Sequence, residues 1–276
     1  MTTATSESEP LIEVTNLTTH YGSRQILNGI SLTVNKGEVM VIMGGSGSGK
    51  STLLRHLIGL ERPTDGCIKL LGQDIGNMTE HEMTQLYRKV GVAFQGGALF
   101  SSMTVGENIM LPLREHTKLD QKTMEIMVRL KLEVVNLAGF EYLMPSELSG
   151  GMLKRAAFAR AVIMDPVLLF CDEPSAGLDP VVSSSLDELI LRLRDALDMT
   201  IVVVTHELES AFRIADRITV LDKGDILTIG SVDEVRASDN KRIQDLLNRH
   251  FEEEILDPDA YLARLTGEPE NTLSHA

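Results

Sequence analysis

Short apolar blocks alternate with longer stretches of helical periodicity along most of this chain. Residues 11–17 and 26–34 alternate apolar and polar positions, which predicts two strands with one buried face, joined through Thr19-His20-Tyr21-Gly22-Ser23. The runs 39–43, 167–170, 201–204 and 218–221 are apolar throughout, as strands buried on both faces are. Further strands are expected at 68–71, 90–94 and 226–229, and helices at 51–59, 79–89, 181–197 and 207–215. Between 101 and 161 the period is helical, with Met124, Met127, Val128, Leu130, Val134 and Val135 spacing one helix over 123–137 and another at 150–163. That stretch reads as a helical subdomain inserted in a sheet domain. The alternation of strand and helix predicts an α/β fold with a largely parallel sheet.

The two ends read differently. Residues 1–10 are polar and acidic and are expected to be disordered. Residues 231–276 form a tail with eleven acids against five Lys or Arg. Within it 241–251 could be a helix with Ile243, Leu246 and Leu247 on one face, and Tyr261, Leu262 and Leu265 a short amphipathic turn. A frayed tail is the alternative.

Composition narrows the function classes. The balance of 26 basic and 40 acidic side chains gives a net charge of −14. Such a surface is not built to neutralise nucleic-acid phosphates, nor to bind an anionic membrane through a basic patch. Hydrophobic residues make up 43% of the chain, but only 4% is aromatic and Trp is absent, so aliphatic packing dominates the core. Cys67 and Cys171 fit neither a metal spacing nor a disulfide framework, which suits a reducing compartment. No secretory signal is expected at the start, and no apolar run reaches the ~18 residues of a membrane helix. If the protein works at a membrane, another chain carries it there.

The chemistry concentrates at a few places. Gly44-Gly45-Ser46-Gly47-Ser48-Gly49-Lys50-Ser51, followed by Thr52, fits the phosphate-binding P-loop and lies between a predicted strand and a predicted helix. In this motif backbone N–H groups cradle the phosphates of ATP, Lys50 reaches the β and γ phosphates, and Ser51 offers its hydroxyl to Mg²⁺. Downstream, an apolar strand ends in Asp172 and Glu173. Carboxylates there are costly unless they bind something, which assigns Asp172 to Mg²⁺ and Glu173 to polarising the attacking water. A helix cap before Pro174 is the structural alternative. Gln95 follows the strand at 90–94, where it can orient water and feel the metal. His206 ends the strand at 201–205, where it can bond the γ-phosphate or simply cap the next helix. Tyr21 offers a flat ring for adenine, or is a strand-end core tyrosine.

Leu148-Ser149-Gly150-Gly151 completes the set, because this sequence separates ATP-binding cassettes from other P-loop proteins. Over about residues 11–230 the chain resembles the ATPase subunit of ABC transporters. The order is an aromatic loop at Tyr21, the P-loop, Gln95, the signature Ser149, Gly150 and Gly151, Asp172, Glu173, the D-loop through Asp179, and His206. The resemblance implies a P-loop NTPase fold with a RecA-like sheet, an antiparallel β subdomain and a helical subdomain. It further implies a homodimer in which Ser149, Gly150 and Gly151 close on the ATP of the other subunit, with Asp179 across the interface. Met152 and Gly177 depart from the commoner wording after the signature and within the D-loop.

The wording at 94–105, 111–117 and 143–152 is similar, more narrowly, to the ATPases of Mce-type lipid transporters, as in the Mla (maintenance of lipid asymmetry) systems of Gram-negative bacteria. This implies phospholipid movement between inner and outer membranes and a place on the cytoplasmic face of the inner membrane. The partners implied are an integral-membrane permease, a periplasmic Mce-domain ring protein and a STAS-domain protein, with no nucleic acid. The permease's coupling helix would meet residues 98–117, and the STAS partner the helical subdomain. An ATPase for another solute, and an ATP-gated assembly or regulatory protein, are the alternatives.

Overall fold

A computed structural model describes residues 10–248. The expectations for 1–9, for the end of the 241–251 helix at 249–251 and for the turn at Tyr261, Leu262 and Leu265 lie outside the described residues, while Pro10, expected to be disordered with 1–9, opens the first strand.

Two sheets organise these residues. The first is antiparallel, in the order β2-β1-β4-β5, from β1 (Pro10–Tyr21), β2 (Arg24–Asn35), β4 (Asp65–Leu70) and β5 (Gln73–Asp74). The second has the order β10-β9-β3-β8-β7-β6, from β3 (Val39–Met43), β6 (Val90–Ala93), β7 (Leu168–Asp172), β8 (Thr200–Thr205), β9 (Arg217–Asp222) and β10 (Asp225–Gly230). Its strands pair in parallel except for β10, which returns from β9 as a hairpin.

Side chains on successive strand residues point to opposite faces, and this alternation splits the core in two. Val39, Val41 and Met43 of β3, Leu169 and Cys171 of β7, and Ile201 and Val203 of β8 join one buried cluster. Met40 and Ile42, Leu168 and Phe170, and Val202 and Val204 join the other. The first cluster lies under α3 (Val105–His116), α4 (Gln121–Val134), α5 (Gly150–Ala161), α6 (Pro180–Leu197) and α7 (Leu208–Ile214). The second packs against α1 (Lys50–Leu57), α2 (Glu80–Tyr87) and the antiparallel sheet. Cys171 sits fully buried in β7, and burial pushes its thiol far up.

Three local features depart from the sequence reading. The β1–β2 hairpin turns at Gly22-Ser23 alone, because ladder pairing continues to Tyr21↔Arg24 after the apolar alternation ends. Residues 105–116 form α3, which apolar periodicity did not single out. Its signal is a capping box, in which Thr104 accepts from the Glu107 N–H and Glu107 accepts from the Thr104 N–H. The third is the tail. After α8 (Val232–Arg236) comes α9 (Lys241–Leu247), and Val235 and Ile243 enter the main core cluster. The Arg236 guanidinium lies 4.2 Å from the centroid of the Phe212 ring. Up to residue 248, therefore, the frayed-tail alternative fails.

Candidate nucleotide site

Four strands that lead to predicted site residues end at one edge of the parallel sheet. The order β3-β8-β7-β6 places the P-loop, His206, the Asp172–Glu173 pair and Gln95 side by side beyond the carboxyl ends of neighbouring strands. This edge is where open α/β sheets take ligands.

The P-loop owes its shape to glycine. A Cβ on Gly44 would lie 2.1 Å from the Leu221 carbonyl oxygen, so the chain can pass β9 only without a side chain. Gly49 caps α1 at φ 104, left-handed, and no side chain accepts from the first turn. That turn also carries no acid, so its N–H groups and the positive end of the helix dipole are open to an anion. The Lys50 ammonium, buried, donates to the carbonyls of Gly44 (2.8 Å) and Gly45 (2.9 Å). Burial pushes its pKa down, while Glu173 and Asp172 push it up. Ser48 Oγ is buried without a partner. A cleft of about 830 Å³ borders Gly45, Ser46 and Gly47, with Ile26 of β2 and Leu246 of α9 among its walls.

Asp172 is desolvated at the end of β7, and burial together with neighbouring Glu173 raises its pKa. A divalent cation would relieve both costs. Among the described residues no group of three or more His, Cys, Asp or Glu could hold a metal by itself. Mg²⁺ takes one or two protein ligands and fills its octahedron with phosphate oxygens and water. Ser51 and Asp172 fit that role, and the bare helix start with Lys50 fits a polyphosphate.

Glu173 is the most constrained residue of the edge. Its φ of 45 is left-handed, a conformation costing a non-glycine residue roughly 1–2 kcal/mol. Its N–H donates to the Val204 carbonyl at 2.8 Å, fixing it to β8. Its carboxylate accepts from Thr205 Oγ1 at 3.2 Å, from the His206 N–H at 3.4 Å and from His206 Nδ1 at 2.9 Å. A carboxylate only accepts, so Nδ1 carries the proton and Nε2 faces outward, 3.5 Å from Glu207. His206 is thus a partner of Glu173, and the residue at the N-cap of α7 is Glu207. Sequence reasoning missed Thr205, whose hydroxyl gives no signal in an apolar strand.

The remaining predicted residues lie around this edge. Tyr21 is half exposed at the hairpin end, its hydroxyl donating at 2.5 Å to Glu61, which also pairs with Arg55. Gln95 is exposed and held through its carbonyl by Lys154. Ser149 caps α5, accepting from Met152 N–H at 3.3 Å, and it and Gly150 face solvent. Val182 packs on Gly151 and Leu178 on Gly150, so signature and D-loop adjoin. Asp179 caps α6 with two bonds of 3.1 Å, to the N–H groups of Val181 and Val182.

Comparison with known proteins agrees with this geometry. The ABC transporter family model matches residues 27–176. The intermembrane phospholipid transport system ATP-binding protein MlaF of Haemophilus influenzae is 40% identical over 240 residues, 87% of this chain and 91% of that protein. The probable ribonucleotide transport ATP-binding protein mkl of Mycobacterium tuberculosis is 41% identical over 248 residues, 89% of this chain and 69% of that protein. Among solved structures, the ATP-binding cassette MJ0796, captured as a dimer in a post-hydrolysis state with ADP and Pi, superposes with a TM-score of 0.74 at 29% identity, covering 80% of this chain and 98% of that one. CbiO1 of Clostridium perfringens, part of the ABC transporter complex cbiONQ, gives a TM-score of 0.77 at 26% identity, covering 94% and 100%. With a P-loop, a signature turn and a strand-end carboxylate pair on one ATP-binding cassette fold, the chain belongs to the ABC transporter family as an ATP-binding subunit.

Proposed function

We propose that the chain is the ATP-hydrolysing motor of a transporter that moves phospholipid between inner and outer membranes through a separate permease. The observation that carries the motor role is the Glu173–His206 pair, fixed beside Asp172 at the edge that holds the P-loop. Lys50 and the N–H groups from Gly45 to Thr52 bind the phosphates, and Tyr21 supports the base. Mg²⁺, held by Ser51 and Asp172 with Gln95 nearby, would supply charge neutralisation at the β and γ phosphates. Glu173 takes a proton from the attacking water, and His206 holds Glu173 in place through its Nδ1–H; a bond from Nε2 to the γ-phosphate needs a second ring proton.

The chain acts as a homodimer. Ser149 and Gly150 are exposed, next to Asp179 and to Val181, which is 79% exposed on α6. A large apolar side chain in water beside a bare helix start supports a face that another subunit covers. Phe100 and Tyr142 are exposed around α3, which supports the region 98–117 as the seat of a permease coupling helix. Ile126, Leu130 and Val134 form an exposed apolar stripe at four-residue spacing on α4, which supports docking of a STAS-domain protein. An Mce-domain ring protein would complete the assembly. No described helix is long and apolar enough to cross a membrane, which is consistent with a peripheral place on the cytoplasmic face.

The phospholipid assignment rests on the relatives named for it, matched across most of both sequences. A second reading, another solute, is favoured by the mkl relatives at equal identity, whose printed name is ribonucleotide transport. Detergent extraction of the chain from its native membranes, with mass spectrometry of bound proteins and lipids, decides between them. A multi-span permease with Mce-domain and STAS-domain proteins and phospholipid is the expected result. A permease without those two proteins discards the lipid reading, and absence of any permease discards transport.

A further inference from the structure

Lys154 is a buried cation inside the signature helix that no step above uses. Its ammonium donates to two backbone carbonyls, that of Gln95 at close range and that of Glu173 at 3.0 Å. These carbonyls belong to the loops that follow neighbouring strands. The β6–β7 ladder ends at Ala93↔Cys171, two residues before Gln95 and Glu173. Beyond that point the sheet no longer holds the two loops together, and the Lys154 ammonium does. Asp172 and Glu173 attract the same charge, while burial opposes it. The grip on the Gln95 loop is repeated further along α5, where Arg160 donates to the carbonyls of Ala98 (2.6 Å) and Gly97 (2.9 Å).

We propose that Lys154 is a positioning residue for hydrolysis, fastening the Gln95 and Glu173 backbones to each other and to the helix that begins at the exposed signature turn. Glu173 sits in a left-handed conformation that its surroundings must maintain. Its N–H is pinned by Val204 and its carbonyl by Lys154. A shift of α5 when its N-terminus engages the partner's nucleotide therefore moves Gln95 and Glu173 as one body. This links the half-site a subunit lends to its partner with the half-site it keeps. The inference rests on the roles assigned above to Glu173 and Gln95.

The test uses the full chain purified with its membrane complex, carrying Lys154→Met, Lys154→Arg or Glu173→Gln. Phosphate release gives kcat and KM for ATP, and thermal melting reports folding. Lys154→Met is expected to lower kcat about tenfold or more with KM within about twofold, because a displaced base costs rate and not binding. Lys154→Arg, which keeps charge and donors, is expected to recover most of that loss. A kcat for Lys154→Met within twofold of wild type overturns the proposal. So does an equal loss in both variants with a lowered melting temperature, the mark of simple fold support. If the Met variant does not fold, Lys154→Thr, too short to reach either carbonyl, takes its place under the same criteria. Normal turnover in Glu173→Gln would remove the underlying assignment instead. Lost turnover there beside normal turnover in Lys154→Met removes the Lys154 proposal alone.

Discussion

The edge that holds the P-loop and the turn that carries the signature are built in opposite ways. At and beside the sheet edge several functional side chains already have protein partners, while the N–H groups that begin α1 stay open. Lys50 rests on the Gly44 and Gly45 carbonyls, Glu173 on Thr205 and His206, and Tyr21 on Glu61. At the signature Ser149 and Gly150 face solvent, and the turn is backed by Leu178 and Val182 and by the Ser149 cap on the Met152 N–H. The first region is preorganised for a ligand the chain can bind alone. In the proposed homodimer the second would cap a ligand held by the other subunit. A cassette needs both, and the contrast explains why dimerisation is expected to control turnover but not ATP binding.

Breaking the internal region gives the largest effect. Glu173→Gln is expected to lower steady-state hydrolysis about a hundredfold or more, with ATP binding retained by nucleotide fluorescence titration. Turnover near wild type would remove Glu173 as the base.

Breaking the exposed region tests the other half. Ser149→Arg places a bulky cation at the helix start and is expected to cut hydrolysis at least tenfold, while binding by the single chain is unchanged. Mixing it with a Lys50→Ala chain should return part of the activity, since one of the two composite sites is then intact. Phosphate release from the mixture checks this, and no recovery would contradict a shared site.

Packing far from the nucleotide gives a smaller effect, visible in stability. Val235→Ala empties a fully buried position between the tail and the core and is expected to cost about 2 kcal/mol by denaturant unfolding. A change near zero would show that α8 lends little to the core.

The smallest effect lies at the hairpin. The Tyr21 hydroxyl, and then Arg55, hold the Glu61 carboxyl below its ordinary value of 4.5, while slight burial opposes them. A depressed carboxyl contributes stability that is present above its unfolded pKa and is lost as pH falls through the folded one. Because the group is partly exposed and screened by solvent, that contribution is below about 1 kcal/mol. Glu61→Gln should lower the melting temperature slightly at neutral pH, and the difference from wild type should vanish as pH falls below ~4.5, which flattens the acid limb.

Much of this was legible before any coordinates. The apolar runs marked β3, β7, β8 and β9, because strands covered on both faces need no polar positions. Glycine spacing marked the P-loop, because only glycine clears the Leu221 carbonyl and adopts the φ of Gly49. The strand-end position of Asp172 and Glu173 followed from the run before them.

What the sequence could not hold was everything that depends on which strands become neighbours. The order β3-β8-β7-β6 brings His206 to Glu173, Thr205 to the same carboxylate, and the Gln95 loop to the Glu173 loop, across 33, 32 and 78 residues of chain. Lys154 is one polar residue in a helical stretch of sequence, and the role proposed for it rests on two carbonyls from separate loops that converge on it. The chain by itself determined which residues can bind phosphate and where the buried strands lie, because those depend on local sterics and hydrophobic period. Only the tertiary structure decided which of them share a proton, a charge or a carbonyl, because such pairing is set by packing between segments distant in sequence.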